Sequence, residues 1–132
     1  MRADNREREG CAELPLNSLE LARAAAEIAL DGLAEEAVIL GMRDVASFCD
    51  YFVICEGRSL LHVEAIRDRV VEKLREQGVR PGQMEGGRNA SWIVLDYGDV
   101  VVHILDERTR RFYDLEGLWA DAERVDIGDS GT

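Results

Sequence analysis

Histidine, cysteine and proline are scarce in this 132-residue chain, at two, three and two copies, and the scarcity removes several kinds of chemistry at once. His62 and His103 stand alone. Neither belongs to a His-x-x-x-His pattern or has a cysteine close by, so spacing assembles no metal set. Cys11, Cys49 and Cys55 form no Cys-x-x-Cys pair and are odd in number, which speaks against a disulfide framework and fits a reducing cytoplasm. Cys49 and Cys55 flank a strand and read as small core residues. No Gly-x-Ser-x-Gly elbow or Cys/His couple supports nucleophilic catalysis. Nor does an Asp-x-Asp or Asp-x-Glu fall on an expected strand, where both carboxylates would share a face and hold two metal ions about 3.5–4 Å apart.

Long apolar runs are missing too. None approaches the ~18 residues of a membrane span, and the opening Met-Arg-Ala-Asp-Asn-Arg-Glu-Arg-Glu-Gly lacks the apolar core of a secretory signal. Positive charge is in deficit: 16 Lys and Arg face 27 Asp and Glu, for a net charge of −11 and a pI near 4.6. Such a chain repels a phosphate backbone and forfeits counterion release, so direct nucleic-acid binding is not expected. A basic protein is the partner this charge would steer.

Against these absences stands a hydrophobic content of 46%. A chain of this length fits one domain and typically buries roughly 68–70% of its unfolded surface. The reading is a tail over residues 1–16, a domain over 17–125 and a second tail over 126–132, both tails disordered. Asn17 followed by Glu20 makes a capping box for a helix over residues 18–31, with Leu21, Ala24, Ala25 and Ile28 on its apolar stripe and Gly32 at its end. Val38 to Met42 and Tyr51 to Cys55 read as strands. Ser59 caps a long helix striped by Val63, Ile66, Val70 and Leu74 and stopped at Gly78. Gln83-Met84-Glu85 reads as a short edge strand in a Gly-rich loop, and Trp92 to Leu105 as two strands around Gly98. Arg108 to Arg111 is then a basic connector to a last helix striped by Phe112, Leu115, Leu118, Trp119 and Ala122. The result is an α/β (α+β) domain on a mixed five-stranded sheet flanked by helices.

The Trp92 to Leu105 segment is the most informative one. Its strands are apolar on both sides of the pleat and belong in a covered sheet, so Trp92, Asp96 and Asp99 mark where that sheet meets water, at a pocket or a docking rim. Asp96 and Asp99, three apart across a turn, have hairpin-capping spacing. Asp44 and Asp50 read as loop residues. Gly57-Arg58-Ser59, between a strand and a helix, could present helix amides to a phosphate, or else Gly57 makes the turn and Ser59 the cap. By alternation His103 shares a face with Val101 and Leu105, as a half-buried imidazole or a partner contact. Trp, Tyr and Arg, the residue types that dominate interface hot spots, gather in the last third as Trp92, Tyr97, Arg110, Arg111, Tyr113 and Trp119, beside Glu85, Asp96, Asp99 and Glu116. Tyr113 and Trp119 can equally be core residues of the last helix, whereas Trp92 follows the polar Asn89-Ala90-Ser91 run.

Taken in order, these segments resemble one family. Asp50-Tyr51-Phe52-Val53-Ile54-Cys55, Gly57-x-Ser59, His62-Val63-x-Ala65-Ile66, Glu85-Gly86, the run from Trp92 to His103, and Arg111-x-Tyr113-x-Leu115-Glu116-x-Leu118-Trp119 are similar to the ribosomal silencing factor (RsfS, Iojap) family across residues 18–122. Arg58 stands where a small residue is common, Met84 precedes the Glu-Gly pair, and both tails are additional. The resemblance implies a nucleotidyltransferase-like topology without catalytic acids, and a cytoplasmic, non-enzymatic regulator with no cofactor and no metal. It also implies a homodimer when free, and docking on large-subunit ribosomal protein fourteen that sterically blocks subunit joining. Trp92 belongs to the implied binding surface, and Glu85, Asp96, Tyr97, Asp99, Arg111 and Tyr113 are expected to join it. The competing readings are a nucleotide-binding or nucleotidyltransferase-like enzyme built on Gly57 and Ser59, and an acidic adaptor for another basic protein.

Overall fold

Two capped helices and a mixed sheet account for most of the chain in the computed structural model, which describes residues 16–127. Helix α1 (Ser18–Asp31) begins at a reciprocal box: the Asn17 side chain accepts from the Glu20 N–H at 2.8 Å, and the Glu20 carboxylate accepts from the Asn17 N–H at 3.1 Å. Its buried face is Leu21, Ala22, Ala25, Ala26 and Ala29, and the small alanines let the helix lie close on the sheet. Helix α2 (Leu60–Glu76) is capped by Ser59, which accepts from the His62 N–H at 3.0 Å, and buries Val63, Ile66, Val70 and Leu74. Gly78, with φ +85°, supplies the left-handed residue just past its end.

The strands are β1 (Glu35–Gly41), β2 (Tyr51–Gly57), β3 (Gln83–Glu85), β4 (Trp92–Asp96), β5 (Val100–Asp106) and β6 (Glu123–Val125). They form one six-stranded sheet in the order β3-β4-β5-β2-β1-β6, parallel between β2 and β5 and antiparallel elsewhere. The sheet is mixed, as its sequence suggests, but holds one strand more than expected. Glu123-Arg124-Val125 carries no apolar alternation and becomes a strand by pairing with Ile39, Leu40 and Gly41 on β1.

The end of the domain also departs from the sequence reading. The basic run 108–111 is no connector: it lies in helix α3 (Glu107–Tyr113), capped by Asp106, whose carboxylate accepts from the Thr109 N–H at 2.8 Å. The expected continuous last helix is broken at Asp114, whose φ of +48° and ψ of +60° are left-handed, and a single turn, α4 (Leu115–Leu118), follows. The apolar stripe drawn through that break dissolves, leaving Phe112 78% and Leu118 69% exposed while Leu115 is buried. Residues 1–15 and 128–132, most of the expected tails, lie outside the described residues. The Asp126 carbonyl accepts from Arg23 Nε at 3.0 Å, and Ile127 packs on the core.

The two faces of the sheet are covered unequally. On one, α1 and α2 seal Ile39, Val53, Cys55, Ile93, Leu95, Val102 and Ile104 into the larger core. On the other, Leu40, Phe52, Ile54 and Leu105 pack, among the described residues, with Leu115 of α4, with Trp119 and Ala122 after it, with Trp92, and with the loop between β1 and β2.

Candidate docking face

Strand pairing fixes which side chains meet on the thinly covered face. Trp92 stands opposite Leu105, Val94 opposite His103 and Asp96 opposite Val101, and the register continues to Glu85 on β3 and to Phe52, Ile54 and Glu56 on β2. Paired residues point the same way, so Glu85, Trp92, Val94, Asp96, Val101 and His103 share this side. Among the described residues Val94 belongs to neither core cluster, and Val94 and Val101 stay half-buried.

A file of rings crosses the same face. Phe112 meets Tyr113 edge-on with centroids 4.9 Å apart, Tyr113 lies 4.9 Å from Trp92, and Trp92 lies 6.0 Å from His103. His103 meets Phe52 at 4.6 Å, and Phe52 in turn contacts Phe48 and Trp119 at 6.0 and 6.1 Å. At the open end of the file Tyr113 is 52% and Phe112 78% exposed, and Phe48 is 61% exposed near the other end. Trp92 is half-buried: one edge packs on the core, and its Nε1–H donates to His103 Nδ1 at 3.1 Å. His103 is buried rather than half-buried, and burial pushes its pKa down to about 4, so at neutral pH it is an uncharged imidazole; accepting from Trp92 at Nδ1 then requires its proton to sit on Nε2.

Helix α3 owes its place on this face to a buried cation. Arg110 sends Nε and Nη2 to the two oxygens of Glu116 at 3.0 Å each and Nη1 to Glu56 at 3.4 Å, tying α3 to α4 and β2. Arg124 approaches Glu116 at 3.7 Å. Desolvation raises the Glu56 carboxyl above its usual range, and nearby Arg110 opposes the rise. The sequence offers Arg110 only as one of three arginines in a run. The cap at Asp106 is the signal that would have set the helical phase and turned Arg110 inward.

Of the other expected site residues, Asp96 and Asp99 sit at the far end of the hairpin, about 13 Å from Trp92 for four residues of strand. Asp96 accepts from the Gly98 N–H at 2.8 Å, which is the turn-capping role its spacing suggests. Asp99 is exposed, lines a surface depression with Phe48, and its carbonyl accepts from the N–H groups of Asp50 and Tyr51. Arg111 is exposed on α3 and pairs with Glu107 at 3.0 Å. Tyr97 does not join them, because alternation turns it to the helix-covered side, where its ring packs on the larger core and its hydroxyl is buried. Phe48 and Phe52 belong to the ring file and were not among the expected site residues.

The strand-to-helix turn at Gly57 is packed. A Cβ on Gly57 would lie 2.9 Å from Val63 Cγ2 and 3.0 Å from the Val63 nitrogen. Within the first turn of α2, the His62 N–H is taken by Ser59 Oγ and the Val63 N–H by the Ser59 carbonyl. The Arg58 N–H donates to His62 Nδ1 at 2.9 Å, and His62 Nε2 meets the Gly32 carbonyl at 2.9 Å, so this histidine ties α2 to the end of α1. Among the described residues no cluster of three or more His, Cys, Asp or Glu could hold a metal ion.

Fold and face together define an α/β domain whose sheet is sealed on one side by long helices and open on the other around aromatic rings and carboxylates. The particular family follows from comparison. Residues 15–131 match the model of the family "Ribosomal silencing factor during starvation", RsfS, and the chain belongs to it. It is 37% identical over 112 residues to the ribosomal silencing factor RsfS of Halalkalibacterium halodurans, covering 85% of this chain and 96% of that one. The Bacillus subtilis protein of the same name is also 37% identical over 112 residues, covering 85% and 95%. A crystal structure of a Chromobacterium violaceum protein superposes with a TM-score of 0.77 at 30% identity, over 80% of this chain and 88% of that one.

Proposed function

We propose that this chain is a non-enzymatic ribosomal silencing factor that docks on large-subunit ribosomal protein fourteen, sterically blocks joining of the small and large subunits, and so represses translation. The observation that carries this reading is the half-open sheet face on which Trp92 packs at a tilt against Tyr113, with Val94 and Val101 beside them and Glu85, Asp96 and Asp99 toward the rim. An apolar, aromatic centre with charge at the periphery is the usual anatomy of a protein interface, and carboxylates there suit a basic partner. Arg111, exposed beside Tyr113, belongs to the same rim. Tyr97 has no place in it.

Steric blocking needs no cofactor, no metal and no catalytic group. The protein acts in the cytoplasm as a homodimer when free, and the same face meets the ribosome. An interface of ordinary size removes about 800 Å² from each partner, and truncating a central Trp commonly costs 2 kcal/mol or more, roughly thirtyfold in affinity. Trp92→Ala is therefore expected to keep the fold and release the protein from purified large subunits in a sedimentation gradient, and to restore subunit joining in an association assay. Undiminished co-sedimentation at limiting concentration removes Trp92 from the interface. Competition by free ribosomal protein fourteen separates this docking from that of an adaptor for another basic protein.

A further inference from the structure

We propose that His103 is a positioning residue for docking: it holds the Trp92 indole, through the Nε1–H to Nδ1 hydrogen bond, in the orientation that Tyr113 packs against and the partner meets. The proposal rests on the docking reading above for its consequence, but its geometry stands on the hydrogen bond itself. Trp92 and His103 are diagonal neighbours on adjacent strands, since Trp92 pairs with Leu105 and His103 with Val94, and a diagonal contact of this kind is within reach of an aromatic side chain. The indole leans along the sheet to reach Nδ1 at 3.1 Å.

Packing alone does not call for a histidine here. The ring is 7% exposed among Phe52, Ile54 and Leu105, where a Leu or Phe would also fill space, and its Nε2 is buried with no hydrogen-bond partner among the described residues. A core that keeps such a group at a desolvation cost gains something from the other nitrogen, and among the described residues the bond made there is the one from Trp92. The Nδ1 lone pair can accept only while the imidazole is neutral with its proton on Nε2, the state burial favours. Phe52, 4.6 Å away at 66°, fixes the plane of the imidazole from the far side. Trp92 is thus held between a polar clamp beneath and the Tyr113 ring above, instead of rotating on an open sheet. Preorganisation of this kind strengthens binding by removing the ordering cost of a central side chain.

The test compares His103→Leu, His103→Phe and His103→Asn with the wild type. Asn carries an amide oxygen close to where Nδ1 sits, so it keeps the acceptor that the other two lack. In ¹⁵N-labelled wild type, the imidazole should show the Nε2–H tautomer and the Trp92 indole N–H a downfield, slowly exchanging resonance. In His103→Leu and His103→Phe that resonance moves upfield and exchanges faster while remote backbone amides hold, and affinity for large subunits falls about fivefold, the equivalent of one neutral hydrogen bond. His103→Asn retains the resonance and binds within about twofold of wild type. An Nδ1–H tautomer in the wild type overturns the proposal without any variant. So does an unmoved indole resonance in His103→Leu, or a moved one with unchanged affinity where Trp92→Ala abolishes binding. If Trp92→Ala binds like wild type the docking reading falls instead, and the indole resonance still decides whether His103 holds Trp92.

Discussion

Replacing Arg110 by Met removes the one cation that joins α3, α4 and β2 while keeping most of the side-chain volume. Arg110, Glu56 and Glu116 are only 10%, 13% and 21% exposed, so the variant leaves Glu56 largely out of water with no counter-charge and Glu116 with only the exposed Arg124, 3.7 Å away. Breaking a buried pair from one side typically costs 3–5 kcal/mol, and the residual hydration of these groups puts the expected loss near the lower end, about 3 kcal/mol. The size of the loss should depend on pH in a definite sense. Desolvation already raises the Glu56 carboxyl in the folded state, and Arg110 is what opposes that rise, so in Arg110→Met it climbs further above the unfolded value. A group whose folded pKa is raised binds its proton more tightly when folded, so its contribution to stability is complete below the unfolded pKa and lost as pH rises through the folded one. The deficit of Arg110→Met is therefore largest at pH 7 and shrinks toward pH 5. Urea unfolding of both proteins at the two pH values measures it. A triple variant, Glu56→Gln with Arg110→Met and Glu116→Gln, should recover much of the loss, since no charge is left unpaired. A deficit below about 0.5 kcal/mol at pH 7, or one equal at pH 5 and pH 7, would falsify the view that Arg110 neutralises two desolvated carboxylates.

Two further perturbations probe the helix-covered face and the ring file. Gly57→Ala places a Cβ 2.9 Å from Val63 Cγ2 and should push α2 off β2 at a cost of about 1–3 kcal/mol, and an unchanged urea midpoint would mean that the turn relaxes freely. His103 titrates near 4 when folded against an ordinary 6.5, so its contribution is intact above the unfolded value and is lost as pH falls from about 6.5 to about 4. That difference is on the order of 3 kcal/mol, and urea titrations from pH 7 to pH 4 should show it in the wild type but not in His103→Asn, a parallel decline in both proteins refuting it.

Where a local signal and a tertiary need coincide, the sequence reads true. Helix α1 lies between Asn17 and Gly32 as its capping box and stop suggest, and α2 begins at Ser59 and ends just short of Gly78. The hairpin of β4 and β5 follows from alternation around Gly98, and so does the common face of His103, Val101 and Leu105. Illegible features are those decided by partners distant in sequence. Strand β6 exists because β1 offers it an edge, and its three residues are otherwise unremarkable in pattern. The break at Asp114 is hidden because Phe112, Leu115 and Leu118 keep helical spacing across it, although the left-handed residue redirects the chain and exposes the first and last of them. Asp114 tolerates this turn because its carboxylate accepts from the Gly117 N–H at 3.1 Å and starts α4. The Trp92 to His103 bond needs the strand register, since eleven residues of sequence do not reveal a diagonal contact.

The break at Asp114 also bears on the open face. A helix continuing past Tyr113 with the expected stripe would bury Phe112 and Leu118 against the sheet and close the side on which Trp92 and Tyr113 stand. Two short helices joined at a left-handed residue instead cover Leu105, Ile54 and Phe52 and stop, leaving Val94 and Val101 half-buried at the border. The opposite face has no such gap, because the alanines of α1 and the Val63, Ile66, Val70 and Leu74 stripe of α2 seal it. One sheet therefore serves two ends: its sealed side supplies stability, and its other side keeps an aromatic surface available, held in shape by Arg110 beneath α3 and by His103 beneath Trp92. The carboxylates of Glu85 and Asp99 lie outside that buried scaffold and stay exposed, so they can act on the approach of a basic partner without being needed for the fold. In the docking proposed above, grip falls to the rings, with Trp92 held by His103, and attraction to the acids free at the rim.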